Sequence, residues 1–247
     1  KKSPAFTEAH AAFNELERII DSLGGIVCED DLLNFITKDP SMQNHIYFLL
    51  VLGDPFKFRK EDDEVNRCWY VDQDLAKQVE GALMSLYSGL SDEDLIPEGE
   101  MIDRFLRELQ EINDKHRNDE VLKRWLSISK NVGKNPLGEW GHSASPNVKT
   151  KGVRDYAYLA VKKHGSPLHF REVAVLIEKM FNRAAHVATT HNELIKDDRF
   201  VLVGRGMYAL KEWGYTSGVV RDVIREILRA SGPLTKDEIV EKVMKER

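Results

Sequence analysis

Cysteine is almost missing from this chain: Cys28 and Cys68 are the only two in 247 residues. Two are too few for a disulfide framework, and neither lies in a C-x-x-C pair or at the Cys/His spacing of a zinc site. That usage fits a reducing cytoplasm. Long apolar runs are missing too. No stretch reaches the ~18 apolar residues of a membrane span, and no basic-then-apolar leader follows Lys1-Lys2-Ser3. The reading therefore expects no transmembrane helix, no signal peptide and no membrane partner. The missing initiator Met reads as a fragment of something longer.

Catalytic signatures are lacking as well. "GKNPLG" at residues 133–138 lacks the terminal Gly-Lys-Ser/Thr of a phosphate-binding loop, there is no Gly-x-Ser-x-Gly, and the histidines have no carboxylate partners at ligand spacing. The acidic clusters "EDDLL" and "SDEDL" read as helix starts, where negative charge favours the dipole. The expectation is a non-enzyme without cofactor or metal.

What is present is a 42% hydrophobic fraction, enough for packed cores, in a chain long enough for two to four small domains. The net charge of −5 conceals an asymmetry. Residues 1–150 hold 18 Lys and Arg against 28 Asp and Glu, a net of −10, and residues 151–247 hold 18 against 13, a net of +5. If either part approaches nucleic acid, the C-terminal part is the candidate, although a solvated surface also explains +5.

Apolar spacing predicts a mainly α chain with small β-hairpins, arranged as tandem winged helix-turn-helix units. In the C-terminal part, Val153, Tyr156, Ala157, Ala160 and Val161 mark one helix. A Gly-Ser-Pro turn leads to a second with Val173, Leu176, Ile177 and Met180 inward, and a third runs from about Arg183 to Ile195. Residues 200–203 and 207–210 then form strands around the Gly204-Arg205-Gly206 tip. Helix, helix, helix, hairpin is the order of a winged helix. "GVVRDVIREILRASGPLTKDEIVEKV" repeats "GVRDYAYLAVKKHGSPLHFREVAVLI" with one residue deleted in the turn, so a second copy starts near Val219. It stops at Arg247 after two helices, which reads as a boundary within a longer protein, and Ile224, Ile227 and Leu228 are expected to pack rather than face solvent.

The N-terminal half carries the pattern more weakly, giving units 1–72, 73–145, 150–215 and 219–247. In the second of these, "EGEMIDRFLRELQEI" is a helix and "GKNPLGEWGH" a reduced wing. "SASPNVKTKG", residues 143–152, reads as the linker.

Three motifs in order carry a resemblance: Pro167-Leu168-His169-Phe170, Asp197-Asp198-Arg199-Phe200-Val201, and Tyr208-Ala209-Leu210-Lys211-Glu212-Trp213. Together they make residues 150–215 resemble the HARE-HTH domain family. That family includes the N-terminal domain of the bacterial RNA polymerase delta subunit and domains appended to sigma-factor-like proteins. The resemblance implies a transcription-linked module contacting DNA, RNA polymerase or both. Two alternatives stand beside it: a protein-interaction scaffold whose acidic half docks a basic surface, and the DNA-recognition segment of a restriction enzyme.

On the third helix, Ala184, Val187, Ala188, Leu194 and Ile195 are expected inward, leaving Arg183, His186, Thr189, Thr190 and Glu193 outward. Arg183, His186, Thr189 and Thr190 read either as a DNA-binding face or as a solvated one. Arg205, between glycines, reads as a contact to phosphate or minor groove, or as a soluble turn. His191 is expected half-buried and structural, and Phe200, Tyr208 and Trp213 are expected in the core of the hairpin.

Overall fold

A computed structural model of the chain describes residues 4–109, 112–215 and 220–245. The expected start of the repeat near Val219 and its end at Arg247 lie outside the described residues, as do residues 110 and 111 within the expected helix 98–112. Contacts divide the chain into two compact units, Lys1–Lys149 and Thr150–Arg247. Both are mainly helical, with antiparallel sheets of two or three strands. Among the described residues, no helix is long and apolar enough to cross a membrane.

In the first unit, α1 (Pro4–Ser22) buries Leu16 and Ile20 and ends at Gly24 and Gly25, both at positive φ. There the chain turns into β1 (Ile26–Cys28), then α2 (Glu29–Ile36) and α3 (Pro40–Leu52). Asp39 caps α3 by accepting from the Ser41 N–H, with Pro40 in the first turn, where its missing N–H costs nothing. β2 (Lys57–Arg59) and β3 (Cys68–Tyr70) complete a sheet of order β1-β3-β2. Their charged loop is organised by Asp62, which accepts from the Glu64 and Val65 N–H groups. The Arg59 guanidinium, with those N–H bonds, holds the Asp62 carboxyl down to about 2.

Next come α4 (Gln73–Ser88), capped by Asp72, α5 (Glu98–Glu108), α6 (Asp119–Leu126), and a hairpin of β4 (Val132–Lys134) and β5 (Trp140–His142). The central sheet explains why these elements belong to one unit. Side chains alternate along a strand, so Val27 and Trp69 face a core with Leu16, Ile20 and Leu50, whereas Ile26, Cys28 and Cys68 face another with Val79, Phe105 and Trp125. One sheet thus closes two cores. The expected linker is partly core as well: Ser145, Asn147 and Val148 are buried, and the unit boundary falls after Lys149. Val148 is held by the hairpin glycines, since a Cβ on Gly133 would lie 2.9 Å from its methyl.

In the second unit, α7 (Val153–His164) ends at Gly165 in the left-handed conformation. β6 (Leu168–His169) leads into α8 (Phe170–Phe181), whose start is a capping box: the His169 N–H donates to Glu172, and His169 Nδ1 accepts from the Arg171 N–H. α8 stops at Asn182, φ 49°, and α9 runs Val187–Lys196. β7 (Phe200–Gly204) and β8 (Met207–Leu210) join β6 in a sheet of order β6-β8-β7. Phe200 and Tyr208 are buried there, and Trp213 packs half-buried on Val201, Val203 and Ala209. The unit ends with α10 (Val220–Ser231) and α11 (Lys236–Lys245). The repeat extends to the caps. Gly232 takes the left-handed φ of Gly165, and Thr235 pairs with Glu238 as His169 does with Glu172. Val223 and Ile227 are buried, and Ile224 and Leu228 half-buried.

The third helix departs from expectation. It begins at Val187, not Arg183, because Asn182 breaks the chain and residues 183–186 are non-helical. Its faces differ from expectation as well. Thr190 is fully buried one turn before the buried Leu194, while Val187, Ala188 and Ile195, expected inward, are exposed, Ile195 by 62%. Ala184 is exposed too, and its neighbour Ala185 is buried instead.

Candidate nucleic-acid interface

The hairpin β7–β8 registers Leu202 with Tyr208 and Gly204 with Met207, with a shift between them, leaving Arg205 and Gly206 as the turn. Only Gly206 has positive φ there, 71°. Any Cβ at Gly206 would sit 2.7 Å from His169 Nε2 and 2.9 Å from the Phe170 ring, and the Gly206 carbonyl accepts from the Phe170 N–H at 3.0 Å. The tip is therefore pinned to the start of α8. Arg205 stands exposed on this fixed turn and forms no hydrogen bond or ion pair with any described residue.

A ladder of rings joins the tip to α9. His169 lies 4.3 Å from Phe170, His191 stacks on Phe170 at 4.1 Å, and His191 meets Tyr208 edge-on at 5.9 Å. His191 is thus half-buried and structural, as expected. The other expected contact residues divide. His186 is the exposed N-cap of α9 and makes no side-chain capping bond, and Thr189 is exposed one turn later. Arg183 is exposed ahead of the helix, with its guanidinium 4.7 Å over the Tyr156 ring and a 3.4 Å hydrogen bond to the Tyr156 hydroxyl. Thr190 is a correction. It is fully buried and its hydroxyl has no hydrogen-bond partner among the described residues, so it cannot contact a surface ligand. Glu193 is half-buried.

One group that sequence reasoning passed over is Arg199, which it used only as part of a motif. Its guanidinium joins Asp197 at 2.6 Å and Asp155 at 3.1 Å and lies 4.7 Å over the Tyr158 ring. Burial alone would raise the Asp197 carboxyl, but the Arg199 fork and backbone N–H outweigh it and hold the carboxyl below its ordinary value. Beside it, the Tyr158 hydroxyl accepts from Lys162 and donates to Glu212. The legible signal was Asp-x-Arg, a carboxylate two residues before the cation at a strand entry; the Asp155 partner, on α7, was not adjacent in sequence. Arg199 and Lys162 are committed to this network, whereas Arg183 and Arg205 remain at the surface.

The first unit's acidic clusters are structural. Glu29 is buried at the start of α2, accepts from Trp69 Nε1 at 3.0 Å and pairs with Arg67 at 3.3 Å. Residues 91–95 form a turn rather than the expected helix start, with Asp94 accepting from the Ser91 N–H. Compared with known proteins, the chain matches no protein-family model and no curated sequence.

Proposed function

We propose that the chain is a non-catalytic, transcription-associated protein of the bacterial cytoplasm, in which residues 150–215 form a HARE-HTH-like winged helix that contacts DNA. A role beside RNA polymerase, as a delta-subunit-like protein or a sigma-factor extension, belongs to the same reading. The observation that carries it is Arg205, exposed and unpaired among the described residues on a tip that Gly206 pins to α8, in a half of the chain with net charge +5. The order of α7, β6, α8, α9 and the β7–β8 hairpin, with sheet order β6-β8-β7, supports the winged helix. Arg183, His186 and Thr189, exposed around the start of α9, supply further donors for phosphate oxygens, and the N–H groups of a helix start favour anions.

The test is titration of the whole chain with duplex DNA at several salt concentrations. Arg205→Ala should weaken binding and flatten the log-log salt dependence by about one unit, with melting unchanged. Arg183→Ala should do the same. No binding by the wild type at low salt, or affinity and slope unchanged in both variants, removes the DNA role.

A second reading, protein docking by the first unit, is favoured by one observation. α3 exposes Tyr47, Phe48, Val51 and Leu52, and Tyr47 and Phe58 rest on Trp69 at 6.0 and 4.9 Å. So much exposed apolar surface marks a contact site, and the net −10 of residues 1–150 suits a basic partner.

A further inference from the structure

We propose that Cys28 and Cys68 are a modification site: a cross-strand dithiol that a hydroperoxide oxidises to an intrachain disulfide and a small dithiol reduces again. Cys28 on β1 and Cys68 on β3 are direct register partners. The adjacent pair is hydrogen-bonded, the Glu29 N–H donating to the Arg67 carbonyl at 2.8 Å. Hydrogen-bonded and non-bonded pairs alternate along an antiparallel ladder, so Cys28 and Cys68 form a non-bonded pair, whose Cα atoms approach to about 4.5 Å. That lies at the short end of the ~4.4–6.8 Å that a disulfide spans. Both side chains point to the same core, and the sulfurs are already 3.9 Å apart. Side-chain rotation can close that gap.

The two thiols differ in access. Cys28, 7% exposed, lines a cavity of about 330 Å³ with Glu29, Asp31, Glu61, Arg67 and Ser127, whereas Cys68 is 0% exposed. The hydrogen bond to Cys28 Sγ and burial both push the Cys68 thiol up, well above its ordinary range, so Cys68 is the poorer first nucleophile. The order follows. The Cys28 thiolate attacks one peroxide oxygen, the O–O bond breaks, and the departing hydroxide takes up a proton to leave as water. Cys28 is then a sulfenic acid. Cys68 attacks Cys28 Sγ, the S–S bond forms as the S–O bond breaks, and the hydroxyl leaves as water with the Cys68 proton. Two thiols supply the two electrons that reduce the peroxide. Oxidation strands no acceptor at Ser127, because its carbonyl loses only a 3.8 Å thiol donor and keeps Asn66 Nδ2 at 3.1 Å.

The experiment treats the whole chain with hydrogen peroxide, alkylates the remaining thiols under denaturing conditions, and maps peptides by mass spectrometry. With only two cysteines in the chain, the assignment is unambiguous. The expected product is a monomer with the Cys28 and Cys68 peptides joined, two hydrogens lighter, and separated again by dithiothreitol. Its Tm should rise by about 5 °C or more, since the bond closes a loop of some 40 residues. In Cys68→Ala, Cys28 should be captured as sulfenic acid by dimedone. In Cys28→Ala, Cys68 should stay reduced. Disulfides only between chains, Cys28 over-oxidised while Cys68 stays alkylatable, or both thiols still free in excess peroxide would overturn the proposal. The wild-type peptide map decides this even if neither variant folds.

Discussion

His116 sits 5% exposed beneath Trp125, edge-on at 5.8 Å, and neither ring nitrogen has a hydrogen-bond partner among the described residues. Burial pushes the imidazole below its ordinary value, the Lys115 ammonium adds to this, and the Asp21 carboxylate 3.7 Å away opposes only part of it. The folded value lies below the unfolded one, so the unfolded chain binds the proton more readily. This contribution to stability is complete above about pH 6.5 and is lost as pH falls through the folded value. Melting followed against pH should show the first unit weakening from pH 6.5 downward, and His116→Phe should flatten that slope. The second unit holds longer, because its depressed groups are the carboxyls of Asp197 and Glu238, whose contributions persist until pH falls into the ordinary carboxylate range. Arg199→Ala would leave the side chains of Asp155 and Asp197, 4% and 9% exposed, with no shared cation. A loss of about 3 kcal/mol in denaturant titration of the second unit is expected, and Arg199→Lys should restore little of it, since one ammonium cannot replace the fork.

Among elements, the β7–β8 hairpin owes its direction to one glycine. Gly206→Ala meets both a positive φ and the His169 and Phe170 rings, so it should cost about 1–3 kcal/mol and weaken DNA binding although Arg205 is retained. Gly204→Ala is the control. Its φ is ordinary and its added methyl would meet only the Met207 side chain, at 3.2 Å, so it should change stability far less. α9 makes the opposite point about legibility. Its apolar residues Val187, Ala188, Leu194 and Ile195 read as an inward stripe; Leu194 is buried as expected, but it shares the inner face with Thr190, while Val187, Ala188 and Ile195 are exposed. In a helix of ten residues the stripe rests on a handful of positions, and apolar spacing cannot mark a polar residue such as Thr190 as inward.

At the scale of the molecule, the two signs of charge fall in different parts: residues 1–150 carry −10 and the exposed α3 face, and residues 151–247 carry +5 and Arg205, unpaired among the described residues. If the DNA reading holds, residues 150–247 alone should bind DNA. They should bind more tightly than the full chain at low salt, the difference shrinking by about 0.15 M salt, where the Debye length is near 8 Å. Residues 1–149 alone should bind no DNA. Capture of RNA polymerase subunits from nuclease-treated cytoplasm should survive in the full chain if the polymerase reading holds. Loss of that capture in Phe48→Glu, with DNA titration unchanged, would assign it to the apolar face of α3.

Much of this was decided by local chemistry and legible as such. Asp39 and Asp72 cap the helices that follow them, Gly165 and Gly232 end the helices of the repeat, and the stretch around Arg205 forms a hairpin, each because one residue's conformational or hydrogen-bonding preference acts within about a turn of chain. The charge asymmetry is likewise a property of composition alone. Only tertiary structure could give the "IVC" strand a core on each face, set Cys28 beside Cys68 across 40 residues, bring Asp155 to Arg199, and bury Thr190. Those outcomes depend on which surfaces meet, and burial is won by contacts between residues far apart in the chain that no local preference encodes.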